Sequence, residues 1–386
     1  MKVLYDCQAL DMQKIGGVSR CFAELYIRLK QFIDVEYPIV ETDNVYFKQL
    51  GFTPEGEIFR DFLWQGEDVF KKLIYKLYYN IKYDDISNWD KRPQFNKYKT
   101  YQLLKSGSFD IFHPTFYDDY FLQLLGNKPF VITVHDMIPE LFPQFFGSDN
   151  KQVLDKKMVI PKATHIIAVS EQTKRDLVNI MKIPEEKITV VYHGTDLSPF
   201  IPSANAPFEF EYLLYVGDRK AYKNFDTFVR ASVPLLKRYP DLRIVCTGKS
   251  FSDNEKQYFQ SLGILKQMVN KFVFSDQELM DVYHYALAFV YPSLYEGFGI
   301  PILEAYKAGC PVMLNNTSCF PEIAGEAAIF FDLHDEVNNF VEKFEMLYSM
   351  SFEERQQLIQ KQHERLSHFS WDKAAQQVAE VYQGIL

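Results

Sequence analysis

Short apolar runs that show no polar alternation recur along this chain and constrain its fold more than any other feature. Val3–Tyr5, Ile111–His113, Phe130–Val134, His165–Val169 and Ile188–Tyr192 form one series. Tyr212–Val216, Leu242–Thr247, Lys271–Phe274, Leu287–Tyr291, Pro311–Leu314 and Ala328–Phe331 form a second. A strand with no polar face must be covered on both sides, as in a parallel sheet flanked by helices. Helical patterns and turn residues separate the runs, so we expect an α/β protein of two Rossmann-like, doubly wound domains facing a deep cleft. SPFIPSANAPFEFE at 198–211 is the linker candidate. The expected division is 1–197 for the first domain, interrupted by an irregular, aromatic and lysine-rich insertion at 41–108, and 207–370 for the second. The last helix, 371–386, carries a packing stripe at Trp371, Ala374, Ala375, Val378, Val381 and Tyr382.

Length and charge narrow the function classes. A chain of 386 residues can bury two cores. Its formal charge of −9, from 42 Lys and Arg against 51 Asp and Glu, argues against a broad nucleic-acid footprint. Five cysteines without a C-x-x-C pair suit a reducing compartment. MKVLYDCQAL reads as a first strand, not a signal peptide, and no segment is long enough to span a bilayer. The expected location is the cytoplasm, with peripheral contact at the inner face of the membrane as an option.

Open α/β sheets bind ligands at the carboxyl ends of their strands, so the loops leaving the runs are where chemistry belongs. After the first run come Gly16-Gly17 and a helical pattern; paired glycines let backbone amides approach an anion, and they also serve as plain turns. Phe130–Val134 ends in His135-Asp136, which can orient a substrate group or cap a loop. Ser170 reads as the N-cap of EQTKRDLVNIM. Tyr212–Val216 runs into Gly217-Asp218-Arg219, with Lys223 four residues beyond Arg219; two cations at that spacing suit a diphosphate, or form a solvated basic loop. Ser275 and Glu278 have capping-box spacing. The densest stretch is Tyr291–Pro311, where Glu296 and Glu304 bracket the loop Gly297-Phe298-Gly299 before a helix with Pro301 near its start and Gly309 past its end.

Taken together and in order, these pieces resemble the retaining glycosyltransferases of family 4, which have the GT-B fold. Gly16-Gly17-x-x-Arg20, His135-Asp136-x-x-Pro139, Arg219-x-x-Tyr222-Lys223-Asn224 and Glu296-x7-Glu304 are most similar to bacterial mannosyltransferases that build O-antigen or exopolysaccharide. The resemblance implies a nucleotide-sugar donor, GDP-mannose or another NDP-hexose, and a glycan or lipid-linked glycan acceptor in cell-surface polysaccharide or lipopolysaccharide synthesis. It implies no cofactor and no metal. By matching position, Glu304 would hold the ribose and Glu296 the transferred sugar. Arg219 and Lys223, beside Gly217, would hold the diphosphate. Amides of Gly16-Gly17 and of Phe298, Gly299 and Ile300 would add donors, and His135 would stand near the anomeric carbon. Asp118-Asp119 and Asp84-Asp85 read as solvated acids, not as a metal pair.

Two rivals remain open at this level: another GT-B enzyme such as a sugar-nucleotide epimerase, and a non-catalytic nucleotide-sugar-binding protein. The stretch 70–82 in the insertion has the pattern of a basic aromatic amphipathic helix, which fits either a packed helix or contact with anionic lipid.

Overall fold

The apolar runs become parallel strands, with one displaced. The computed structural model describes residues 1–40, 42–49, 51, 93–147, 149–219, 221–333 and 337–386. Its first half contains β1 (Lys2–Tyr5), β2 (Asp34–Glu36), β3 (Ile111–His113), β4 (Val131–Val134), β5 (His165–Ala168) and β6 (Ile188–Val190). They lie in the orders β2-β1-β3 and β4-β5-β6. A bridge between Phe112 and Phe130, with the Phe112 amide donating to the Pro129 carbonyl at 3.1 Å, joins the two into one surface. The second half contains β7 (Tyr212–Tyr215), β8 (Arg243–Thr247), β9 (Met268–Lys271), β10 (Ala288–Tyr291), β11 (Val312–Asn315) and β12 (Ile329–Phe331), ordered β12-β11-β10-β7-β8-β9.

Each sheet therefore has one place where the strand order reverses, between β1 and β3 in the first and between β7 and β10 in the second. There the loops leave in opposite directions and open a crevice. The Gly16-Gly17 segment follows β1, and both the Arg219–Lys223 and Glu296–Glu304 segments follow strands of the second switch point.

Two sequence expectations need correction. The run Lys271–Phe274 is not a strand: pairing with β8 runs from Ile244–Met268 to Thr247–Lys271, and Phe274 beyond it is 87% exposed. Cross-strand pairing set the strand, not local apolarity. Ser275 caps its helix by accepting from the Glu278 amide at 3.2 Å, but the Glu278 carboxylate turns away to the Phe274 amide (2.8 Å) and Lys271 (2.6 Å). Complete capping boxes occur instead at Ser252/Glu255 and Ser351/Glu354. Strand β2, whose sequence DVE lacks an apolar run, was not legible either.

The last helix, Trp371–Ile385, buries Trp371, Ala374, Ala375, Val378, Ala379 and Tyr382 and packs on the helix Gly17–Leu29 of the first domain. Tyr382 fixes it there: its hydroxyl lies 2.9 Å from that of Tyr5 and 2.5 Å from Nδ1 of His113, whose Nε2 meets Thr133 Oγ1 at 3.0 Å. Burial lowers the pKa of His113 to about 3, so this network holds a neutral imidazole. All five cysteines are buried and free. No helix among the described residues is long and apolar enough to cross a membrane. The stretch 70–82 and Asp84-Asp85 lie outside the described residues.

Candidate active site

The chain leaves β10 at Tyr291 and reaches the helix Ile300–Lys307 through the glutamate and glycine loop. Gly299 is the N-cap at φ +95°, a left-handed conformation that a side chain would strain. Around it the loop is fixed from behind. The Glu296 amide donates to Ser318 Oγ at 3.2 Å, Ser318 donates back to the Glu296 carbonyl at 2.6 Å, and the Cys319 thiol reaches the Glu296 and Phe298 carbonyls, each at 3.2 Å. The Glu296 carboxylate accepts from Lys223 Nζ at 2.7 Å, and the two side chains are only 10% and 17% exposed. Burial disfavours the Lys223 ammonium, but Glu296, Tyr222 and Asp136 together outweigh it, and the lysine pKa stands above its usual value.

From the first domain, Gly17 begins a helix whose end meets the second. A Cβ on Gly17 would lie 3.5 Å from Ile300 Cδ1, so the first turns of two helices come together across the cleft. Gln13 Oε1 takes the Ser19 amide at 3.3 Å. One turn into each helix the facing side chains meet: Arg20 Nη1 donates to Glu304 Oε1 at 3.0 Å. Glu304 also accepts from the Tyr283 hydroxyl at 3.3 Å. Burial raises the Glu304 pKa, against the opposing charge of Arg20.

His135 comes in at the end of β4. Its amide donates to the Tyr117 hydroxyl at 3.1 Å, and its Nε2 is buried without a hydrogen-bond partner. Burial, then the charge of Lys156, lowers its pKa to about 3, so the imidazole is neutral. Lys156 is itself fully buried and props the same turn, donating to the Asp136 carbonyl (2.7 Å) and to Glu140 (3.1 Å). The glycine loop presses on this turn so closely that a Cβ on Gly297 would collide with the His135 carbonyl oxygen. Ser170 adds a second role to its N-cap, donating to the Gly297 carbonyl at 2.7 Å. Tyr295 donates to Asp176, and Glu322 accepts from the amides of Glu171 (2.6 Å) and Gln172 (3.1 Å). The second domain thus caps a helix of the first.

The structure brings Gly16, Gly17, His135, Lys223, Glu296, Phe298, Gly299, Ile300 and Glu304 to one cleft. Arg219 is set apart from the Lys223–Glu296 pair. After Gly217, at φ +125°, its guanidinium turns to Glu255 (2.5 Å) and the carbonyls of Lys249 (2.9 Å) and Ser250 (3.2 Å), above the Phe251 ring at 4.9 Å. Phe298 contributes its backbone to the loop, while its ring packs on His193 at 4.9 Å and on Phe369 at 5.9 Å. Sequence reasoning did not assign Lys156, Tyr283, Ser318 or the contact of Arg20. For Arg20 a signal existed: its spacing from Gly16-Gly17 puts it one turn into the helix.

Two cavities flank this cleft. One, of about 500 Å³, adjoins Glu304 and is walled by Phe200, Leu279 and Met280 with Glu24 and Asp276 among its polar groups. The other, of about 630 Å³, lies at the β1/β3 switch point, between Gln8, Asp11, Lys97, Phe116, Asp118 and Tyr120. Its cations are pinned: Lys97 pairs with Asp118 at 3.3 Å and Lys151 with Asp155 at 2.5 Å.

Residues 82–199 match the family described as Glycosyltransferase Family 4, and residues 200–365 the family described as Glycosyl transferases group 1. The chain belongs to these glycosyltransferase families. It is 30% identical over 215 residues to the O-antigen chain mannosyltransferase RfbU of Salmonella typhimurium, covering 56% of this chain and 59% of that protein. It is 27% identical over 222 residues to the O-antigen chain mannosyltransferase B of Escherichia coli, covering 53% and 58%. The chain therefore spans just under six tenths of the length of these curated relatives. Among solved structures, Anabaena HepE in complex with UDP and glucose superposes with a TM-score of 0.69 at 16% identity over 100% of both chains. Sucrose-phosphate synthase from Thermosynechococcus elongatus gives 0.68 at 17% identity over 100% of this chain and 98% of the other. The fold of this glycosyltransferase is GT-B, with two Rossmann-like domains.

Proposed function

We propose that this glycosyltransferase moves a hexose, mannose from GDP-mannose, onto a glycan or lipid-linked glycan in cell-surface polysaccharide synthesis, on the cytoplasmic side of the membrane. The observation that carries the reading is the meeting of two helix N-termini, at Gly17 and Ile300, beside the buried Lys223–Glu296 pair. Such ends favour anions. Departure of a nucleoside diphosphate builds negative charge, so amides and a cation fixed in advance stabilise the transition state more than the ground state. In this reading Lys223 supplies that cation without a metal, and Arg219 joins by exchanging Glu255 for phosphate. Glu304 accepts the ribose hydroxyls and Glu296 those of the sugar. His135, neutral and with Nε2 unpartnered, offers a hydrogen bond near the anomeric carbon, and the reaction proceeds with retention by front-face attack.

Two features support the finer assignments. The cavity beside Glu304 joins apolar walls to carboxylates, which suits guanine, whose edge presents adjacent N–H donors, better than uracil with its one. The cavity at the β1/β3 switch point combines aromatic rings with carboxylate and amide oxygens and has no unpaired lysine at Lys97 or Lys151, so it suits the neutral hydroxyls of an acceptor glycan. Relatives named O-antigen mannosyltransferases point the same way.

Thermal-shift screening of nucleotide sugars, which reads binding as added stability, followed by assays of nucleotide release, tests this. We expect GDP-mannose to give the largest shift, GDP to be released slowly without acceptor and in the presence of EDTA, and α-linked product with acceptor. Binding without turnover would favour a non-catalytic sugar-nucleotide-binding protein, and interconversion of the donor sugar an epimerase.

A further inference from the structure

We propose that Arg20 is a positioning residue for donor recognition: reaching across the cleft, it aims the Glu304 carboxylate at the ribose, so the ribose is read in full only when the two domains meet. This rests on the functional reading above, in which Glu304 is the ribose acceptor.

The geometry has three parts. Arg20 belongs to the first domain and Glu304 to the second, and they meet at 3.0 Å one turn behind the facing helix ends. The Arg20 contact uses Oε1 of Glu304, and Tyr283 from the neighbouring helix uses Oε2. The carboxylate is thus held from two sides in a fixed plane, with lone pairs remaining for a vicinal diol. The guanidinium is steadied in turn by the Tyr46 ring, 5.8 Å from its centre.

Electrostatics makes the arrangement necessary. Partial burial of Glu304, whose side chain is 16% exposed, pushes its pKa up, and the charge of Arg20 opposes that push. The other groups facing it are Tyr283, which donates to it, Tyr46, which lies against Arg20, and Asp276, whose like charge raises it further. Glu24 and Lys307 border the same cavity. Without Arg20, a buried carboxyl beside Asp276 holds its proton to higher pH, and a protonated acid is a poorer acceptor for two hydroxyls. The sign follows: ribose affinity in a variant lacking Arg20 should weaken as pH falls. The donor domain alone would read phosphate and base but the sugar of the nucleoside only weakly.

The test compares GDP with 2′,3′-dideoxy-GDP by calorimetry at pH 6 and pH 8, on the full chain as wild type, Arg20→Met, Arg20→Lys and Glu304→Ala, with far-UV circular dichroism to show each is folded. We expect Arg20→Met to weaken GDP about tenfold relative to wild type at pH 6 and about threefold or less at pH 8. We expect no such difference for the dideoxy nucleotide, and recovery of most of the loss in Arg20→Lys. Tighter GDP binding by Arg20→Met would show that the ion pair competes with ribose, and would overturn the proposal. An equal, pH-independent loss for both nucleotides would do the same, assigning Arg20 to the phosphates or to the scaffold. Wild type that binds GDP with no preference over its dideoxy form would instead remove the role of Glu304 itself, and with it the functional reading on which Arg20 depends.

Discussion

The two switch points of this protein share one strand-end geometry and are furnished in different ways. At β7/β10 the ionisable groups are largely shielded, with side chains 10–26% exposed, and paired: Glu296 with Lys223, and Glu304 with Arg20, each within 3.0 Å and each resting on further hydrogen bonds from Ser318, Cys319 or Tyr283. At β1/β3 Asp6 is buried and accepts from Thr115 and Tyr120, but the other charges stand around an open cavity: the side chain of Asp118 is 40% exposed, and the pairs Lys97–Asp118 and Lys151–Asp155 are surface pairs. A buried pair is costly to break and suits a ligand of constant shape, as the proposed nucleoside diphosphate is. An exposed set is cheap to vary and suits a partner recognised by many weak hydrogen bonds. Under the function proposed above, the difference teaches which half of the reaction the fold holds rigid: the half assigned to the donor.

The sharpest way to break that comparison is to remove the buried pair. Glu296→Ala and Lys223→Ala should each lower kcat/KM roughly 10²–10³-fold, the scale of a lost charge-stabilising group in an active site. The double variant should cost little more than either alone, because the two act as a unit. Steady-state kinetics with donor and acceptor varied separately measures this, and a fully active Glu296→Ala enzyme would end the donor assignment. Next in size is Gly297→Ala. Its Cβ has no room against the His135 carbonyl, so the two domains must move apart where Ser170 now holds them. Displacement of reacting groups by about 1 Å is enough for a loss on the order of 10² in turnover, while nucleotide binding to the second domain should fall far less.

Legibility divides along the same line. Glu296, Gly297, Gly299 and Glu304 sit on one continuous stretch whose helix-start and helix-stop residues are local, so the sequence displays both the loop and its contents. Arg20 was visible as a motif position, but its contact with Glu304 joins residues 284 apart, and no local pattern encodes such a meeting. Arg219 shows the converse. Its spacing from Lys223 suggested a shared ligand, yet Glu255, delivered by a capping box on another loop, takes its guanidinium. The strands followed the apolar runs wherever both faces are covered. They departed from them at the edges, in β2 and β9, where pairing with a neighbour decides and burial is partial. The β1/β3 cavity had no sequence signal beyond the strand ends themselves, because its residues come from four separate segments.

A smaller effect concerns the first sheet, where β3 ends in His113. Burial lowers the pKa of this imidazole to about 3 in the folded chain, against about 6.5 when unfolded. A depressed folded value contributes stability that is fully present above pH 6.5 and is lost as pH falls toward 3. Between pH 6.5 and 4.5 this one group should cost roughly 2 kcal/mol, since each unit of separation is worth about 1.4 kcal/mol. Urea unfolding at both values measures it, and His113→Asn should show a smaller acid loss from a lower starting stability. His135, also lowered to about 3, should by the same reasoning give no imidazole limb in the pH–rate profile between pH 5.5 and 8.

The smallest predicted effect sharpens the contrast most, because it isolates the open switch point from the buried one. Asp118→Ala removes a carboxylate that pairs with Lys97 at 3.3 Å and borders the cavity beside Tyr120. Being an exposed pair, it should leave stability within about 0.5 kcal/mol of wild type. A lost hydrogen bond to a charged acceptor is worth about 1.5 kcal/mol, so KM for a glycan acceptor should rise roughly tenfold, while donor affinity and acceptor-independent release of GDP stay unchanged. The same substitution logic applied at Glu304 predicts the reverse, with donor affinity lost and acceptor KM kept. If Asp118→Ala weakened the donor, or left acceptor KM untouched, the division of substrates between the two switch points would fail, and the cavity at β1/β3 would have to be assigned to something other than the acceptor.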